Sequence, residues 1–193
     1  MNTQRQENIM HRSLRALLLP AMLLAVAGMP SQAGTGGFQP PVLITSAGQS
    51  ADVTLAGSIC KKAKIDARVV ASATAAELKG VKTLIVVPGF SSKGLGAAGT
   101  SREQEMERVK AILKAAADAK IPVLMMHIGG KARRGVQSDD FNRLAAEAAH
   151  HMIVVKQGEE DGFFAAIAAQ KKVPLEVVDR IAGVVSPLGV AFK

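Results

Sequence analysis

Thr83-Leu-Ile-Val-Val87, closed by Pro88, is apolar at every position but the first. A strand with one wet face alternates apolar and polar residues, so an unbroken aliphatic run belongs to a parallel strand covered by helices on both faces. The same unit recurs on either side of it. Val42-Leu-Ile-Thr45, Ile65 to Val70, Ile121 to Met126 and Met152-Ile-Val-Val155 read as further strands, and Pro174 to Val178 as a short strand or edge element. Helical spacing covers Gln49 to Lys62, Ser101 to Ala119, Asp139 to Ala149 and about Glu159 to Gln170, with a brief helix from Thr74 to Leu78 ended by Gly80. Such alternation predicts a three-layer α/β fold with a doubly wound, mostly parallel sheet, flavodoxin-like or Rossmann-like in strand order.

The N-terminus reads as an export signal. Arg12 and Arg15 precede the apolar run Leu17 to Ala27, which is short for a membrane span, and Ser31-Gln-Ala33 fits a small-x-small cleavage site. Cleavage after residue 33 would leave a soluble chain with no membrane span, located in the periplasm or secreted. Residues 34–40 read as a glycine-rich flexible lead and 41–193 as a single domain. Loss of Arg5, Arg12 and Arg15 against Glu7 lowers the formal net charge from +8 by 2. The remaining positive balance favours an acidic ligand or anionic surface without specifying nucleic acid.

In this fold class the loops leaving the strand C-terminal ends gather on one sheet edge, and ligands bind there. Three polar loops leave such ends. Ser46-Ala-Gly-Gln-Ser50 offers Ser46, Gln49, Ser50 and helix-terminal amides that suit carboxylate or phosphate, while Ser50 could equally cap the helix. Gly89 to Thr100 reads as a long glycine-rich connection in which Ser91, Ser92, Lys93 and Gly94 could form an anion-binding concavity. His127-Ile-Gly-Gly-Lys-Ala-Arg-Arg-Gly135 follows a strand directly, and Ser138 is placed to cap the next helix. There Gly129 and Gly130 permit close approach, Arg133 and Arg134 can bind an anion by planar forks, and His127 either contacts the ligand or orders the loop from inside. Asp139 and Asp140 would stabilise a helix start or fasten an arginine.

Several function classes find no support. The Ser46 to Ser50 loop lacks Gly-x-Gly-x-x-Gly spacing and no phosphate-binding Gly-x-x-x-x-Gly-Lys-Ser/Thr run occurs in the sequence, which leaves kinase or nucleotide hydrolase activity with little support. Tryptophan and tyrosine are absent and the six phenylalanines are scattered, so there is no stacking platform for flavin or nucleic acid, and no cofactor is expected. His150-His151 point oppositely in an extended segment, which disfavours a metal site. Cys60 is the single cysteine and reads as a small buried hydrophobe. The charges of Arg102, Glu103, Glu105, Glu107, Arg108, Lys110 and Lys114 read as a solvated helix face.

Pro41-Val-Leu-Ile-Thr-Ser-Ala-Gly-Gln-Ser50, Ser91-Ser-Lys-Gly-Leu-Gly-Ala-Ala-Gly99 and the His127 to Gly135 run together resemble the motifs of a family of exported bacterial α/β domains of unknown function. The resemblance spans about Pro41 to Asp179 and departs from the family pattern at Pro88-Gly89-Phe90. It implies a compact exported α/β domain with a shared surface site and carries over no catalytic residue. The expected function is a periplasmic protein that binds a small carboxylate- or phosphate-bearing solute, for which an envelope uptake or sensing system would be the partner. The alternatives are an exported hydrolase or transferase, with His127 as acid-base residue and Ser91 or Ser92 as nucleophile, and a structural domain that binds an envelope partner.

Overall fold

A computed structural model of the chain describes residues 37–193, so the expected signal and its cleavage site lie outside the described residues. Six strands, β1 (Val42–Ala47), β2 (Ala67–Val69), β3 (Thr83–Pro88), β4 (Val123–His127), β5 (His151–Val155) and β6 (Leu175–Val178), form one all-parallel sheet in the order β2-β1-β3-β4-β5-β6. This is the flavodoxin-like order with a sixth strand added beyond β5. The winding reverses at β1 and β3, so their C-terminal ends open a crevice where the connecting helices diverge to opposite faces. The short element expected near Pro174 is that sixth, edge strand.

Period-two alternation sends each strand's side chains into two separate cores. Leu43, Leu84, Val86, Val123, Met125, Met152 and Val154 meet α3 (Arg102–Asp118), α4 (Asp139–Ala148) and α5 (Phe163–Lys171), with Phe141 and Phe164 fully buried among them. On the other face Val42, Ile44, Ile85, Val87, Leu124 and Met126 meet α1 (Asp52–Lys62) and α6 (Val185–Ala191). Cys60 lies in this second core, where burial pushes its thiol up to about 11, as suits an inert packing residue.

Local chemistry moves three boundaries. Helix α1 starts at Asp52 rather than near Gln49, because Gly48 and Gln49 turn through positive φ (103° and 59°). The stretch expected as a long loop after β3 contains a further helix, α2 (Ser92–Ala98): Ser91 Oγ accepts the Gly94 N–H at its start and Gly99, at φ 64°, closes it. Gly94 is required by packing, since a Cβ there would overlap the Gln49 carbonyl. Helix α5 starts at Phe163 because Glu159 stays outside it and accepts the N–H groups of Phe164 and Ala165.

Ser101 caps α3, with Gln104 completing a reciprocal capping box. Ser138 does not cap α4; its Oγ instead accepts the Phe90 N–H across the sheet edge at 3.2 Å. Within the segment expected to be a flexible lead, Phe38 is buried against Phe192 and His151, and its N–H donates to the Ala191 carbonyl. No helix among the described residues is long and apolar enough to cross a membrane.

Phe141 carries much of the first core, so Phe141→Ala is expected to lower unfolding free energy by about 3–5 kcal/mol, read from the urea midpoint with the slope unchanged.

Candidate functional site

The three loops do converge, and they are stitched to one another. Ser91 N–H donates to the Gly48 carbonyl at 2.8 Å, and Gln49 bridges Phe90 in antiparallel fashion, joining the β1 and β3 loops. Phe90 then joins the β4 loop, its N–H going to Ser138 Oγ and its carbonyl accepting from Arg133 Nη1 at 3.1 Å.

Beneath the β1 loop lies a buried ion pair from α3. Glu105 is 1% exposed; its carboxylate accepts the Gly48 N–H at 2.9 Å and Gln49 Nε2 at 3.0 Å. Arg108 grips the same carboxylate through Nε and Nη2 at 2.7 and 2.8 Å and donates onward to the carbonyls of Ser46 and Ala73. A positive-φ turn that would otherwise strain Gln49 is thus held by charge-assisted bonds. These two residues contradict the expectation of a wholly solvated α3 face. The signal was in the spacing, since Glu105 falls on the same helical stripe as Val109, Ile112 and Ala116.

The β4 loop is held by two further clusters. Arg133 Nε donates to Asp52 Oδ2 at 3.2 Å, while the Arg133 carbonyl takes His127 Nε2 at 3.1 Å and Asn142 Nδ2 at 2.9 Å. Arg134 pairs with Asp139 and with Asp161, each at 2.8 Å, donates to the Gly158 carbonyl and lies 4.5 Å over the Phe163 ring. Asp161 and Asp139 hold the Arg134 guanidinium charged more firmly than usual, and Arg134 in turn draws the Asp161 carboxyl down to about 2. Both arginines expected to be free for a ligand therefore have carboxylate partners within the chain, and Asp140 likewise pairs with Arg102.

The remaining expected site residues divide by exposure. Ser46 is buried, and its Oγ finds no hydrogen-bond partner among the described residues; Ser50 Oγ accepts the Asp52 N–H and serves the start of α1. Ser91 is spent on α2, whereas Ser92 and Lys93 are exposed on its first turn. Gly129 gives room to the Arg133 side chain and the Asp52 carboxylate, and Gly130, at φ 56°, to Gln157. His127 is enclosed between Phe164, Gly158 and the Arg133 carbonyl, which is the internal, loop-ordering role of the two considered. His150 and His151 are apart in role: His150 Nδ1 accepts the Val123 N–H, and His151 meets Phe38. Among the described residues no cluster of three histidine, cysteine or carboxylate side chains could hold a metal ion.

Beside Arg134 a recess of about 250 Å³ stays open to solvent, lined by Lys131, Arg134, Asp139, Gln157, Glu160 and Asp161. It lies where the β4 and β5 loops meet.

Residues 39–192 match the model of a family described as a domain of unknown function, DUF6305. The chain belongs to that family. No curated protein matches it. Among solved structures, a GDSL-like lipase from Bacteroides thetaiotaomicron VPI-5482 is 11% identical over 70% of this chain and 66% of its own, with a TM-score of 0.34. The chain thus spans just under two thirds of that lipase. AlinE4, an SGNH-hydrolase family esterase, is 16% identical over 75% of this chain and 78% of its own at a TM-score of 0.28. A Schiff-base-forming fructose-1,6-bisphosphate aldolase is 10% identical over 80% and 92% at 0.29. Likeness at this level assigns no chemistry to the family's loop edge.

Asp52 and Asp161 were not singled out as arginine partners in the sequence, because both partnerships span loops far apart in the chain. Their consequence is a site whose charges are mostly neutralised from within.

Removing Glu105 would leave Arg108 buried without its carboxylate, so Glu105→Ala is expected to cost about 3–5 kcal/mol. Glu107→Ala, which breaks an exposed pair with Lys110 on the same helix, should cost less than about 1 kcal/mol by the same unfolding measurement.

Burial lowers the pKa of His127 below its ordinary 6.5, with the nearby Arg134 charge acting in the same direction, and burial likewise lowers His150 and His151. The unfolded chain therefore takes up these protons first. Stability should be full above pH 6.5 and fall as pH drops below it, separately from a second loss under pH 3.8 as Asp139 and Asp161 protonate. His127→Gln, which keeps a donor for the Arg133 carbonyl, should show a shallower decline of the urea midpoint between pH 6.5 and 5. An unchanged decline would remove His127 from this account.

Proposed function

We propose that this chain is an exported domain that binds a small carboxylate- or phosphate-bearing solute at the C-terminal edge of its sheet, in the periplasm or outside the cell. The observation that carries the reading is the unequal hold on Arg134. Its guanidinium is fixed from behind by Asp139, 28% exposed, and from the solvent side by Asp161, which is 61% exposed and stands at the mouth of the recess. An incoming oxyanion can take the place of Asp161 on the outer edge of the fork while Asp139 keeps the guanidinium oriented. Lys131, exposed on the same wall, adds a second positive charge.

Arg133 plays a different part in this reading. Its guanidinium is turned towards Asp52 and the Phe90 carbonyl, so it joins the three loops and leaves recognition to Arg134. The catalytic alternative has less to stand on: the His127 ring is enclosed behind the loop backbone, and Ser91 Oγ is occupied by the α2 cap.

Calorimetric or NMR titration with inorganic phosphate and acetate is the direct test. Binding is expected to be lost in Arg134→Gln and strengthened severalfold in Asp161→Asn, because the variant removes the competing carboxylate. Equal affinity in wild type and Asp161→Asn, or anion binding that survives Arg134→Gln, would overturn the assignment.

A further inference from the structure

A second recess adjoins the first. It has a volume of about 340 Å³, at the small end of ligand-sized cavities, and lies beyond the C-terminal ends of β4, β5 and β6. Its lining is of another kind. Ile128 and Val155, each almost fully buried, contribute to its wall, and Ile181 and Ala182 present exposed apolar surface after β6. Asp179 and Arg180 add charge at the same place.

Gln157 lines both recesses. Its exposed side chain stands against Gly130, where the absence of a Cβ leaves it room; a Cβ there would come within 3.2 Å of Gln157 Oε1. One flexible amide thus separates a recess walled by charged residues of both signs, Lys131 and Arg134 among them, from one with an aliphatic wall. A ligand with an anionic group on Arg134 and Lys131 would direct the rest of its body past Gln157 onto the aliphatic surface.

We propose that the two recesses are the head and tail subsites of one site, and that its ligand class is a small carboxylate carrying a short aliphatic chain. Resting on the anion-binding reading above, this assigns the head to Arg134 and the tail to Ile128, Val155 and Ile181. Ile181 is 37% exposed in the free protein, so a bound chain would remove apolar surface from water that the fold itself leaves uncovered.

The test is a titration of the purified protein with acetate, butyrate and hexanoate, followed by NMR. Affinity is expected to rise about fourfold for each added methylene, the gain that burying such a group gives. In Ile181→Asn, hexanoate should bind little tighter than acetate does to the same variant. Flat affinity along the series in the wild type would overturn the tail subsite while leaving anion binding at Arg134 intact. Conversely, chain-length dependence that persists in Arg134→Gln and disappears in Ile181→Asn would keep the apolar subsite and overturn the anionic head. A rise with chain length that Ile181→Asn does not alter would place the tail elsewhere and also overturn the proposal.

Discussion

The Glu105–Arg108 pair is the interaction on which the rest of the sheet edge depends. A parallel sheet wound in both directions leaves a crevice at its reversal point, and backbone groups leaving β1 there have no further strand to pair with. Glu105 takes up the Gly48 amide, while Arg108 takes up the Ser46 and Ala73 carbonyls. Two charges under a loop would be costly apart, yet together they satisfy the polar groups that reversal exposes. With Gly48 and Gln49 fixed, Phe90 has a bridge partner and Ser91 an acceptor. Phe90 in turn orients Ser138 and Arg133, and through them the β4 loop.

This chain of dependence explains why the arginines face inward. The loops have few apolar groups with which to pack, so their relative positions are set by ion pairs and hydrogen bonds between segments. Arg133 reaches Asp52 across 81 residues of sequence, and Arg134 reaches Asp161 across 27. A basic run that looks like an unoccupied anion site in one dimension becomes a set of cross-links in three.

The fold was legible because its signals are local and repeated. Unbroken aliphatic strands separated by helical spacing leave little room for another class, and the apolar run of β3 was enough to predict covering on both faces. The convergence of the three loops followed from that topology. Helix α2 was hidden because it contains two glycines, which local propensity opposes, and one of them, Gly94, obeys a tertiary demand, the close approach of the Gln49 carbonyl. Ser138 was misread for a related reason: it sits at a helix start, but the Phe90 amide 48 residues away claims its hydroxyl. Glu105 could have been found from its place on the apolar stripe, whereas the partners of Arg133 and Arg134 depend on which loops touch and on side-chain direction.

Side-chain exposure also separates the two arginines thermodynamically. The Arg133–Asp52 pair is 27% and 20% exposed and is coupled through the Arg133 carbonyl to His127 and Asn142, so releasing it disturbs the loop as a whole. The outer partner of Arg134 is different: Asp161 is 61% exposed, and water that reaches its carboxylate weakens its hold on the guanidinium. Replacing it by another oxyanion costs little and leaves Asp139, the Gly158 carbonyl and the Phe163 ring holding the guanidinium. A charge that is rigidly held yet cheaply exchanged on one side is what reversible anion capture requires, and of the two arginines in this loop only Arg134 has both properties.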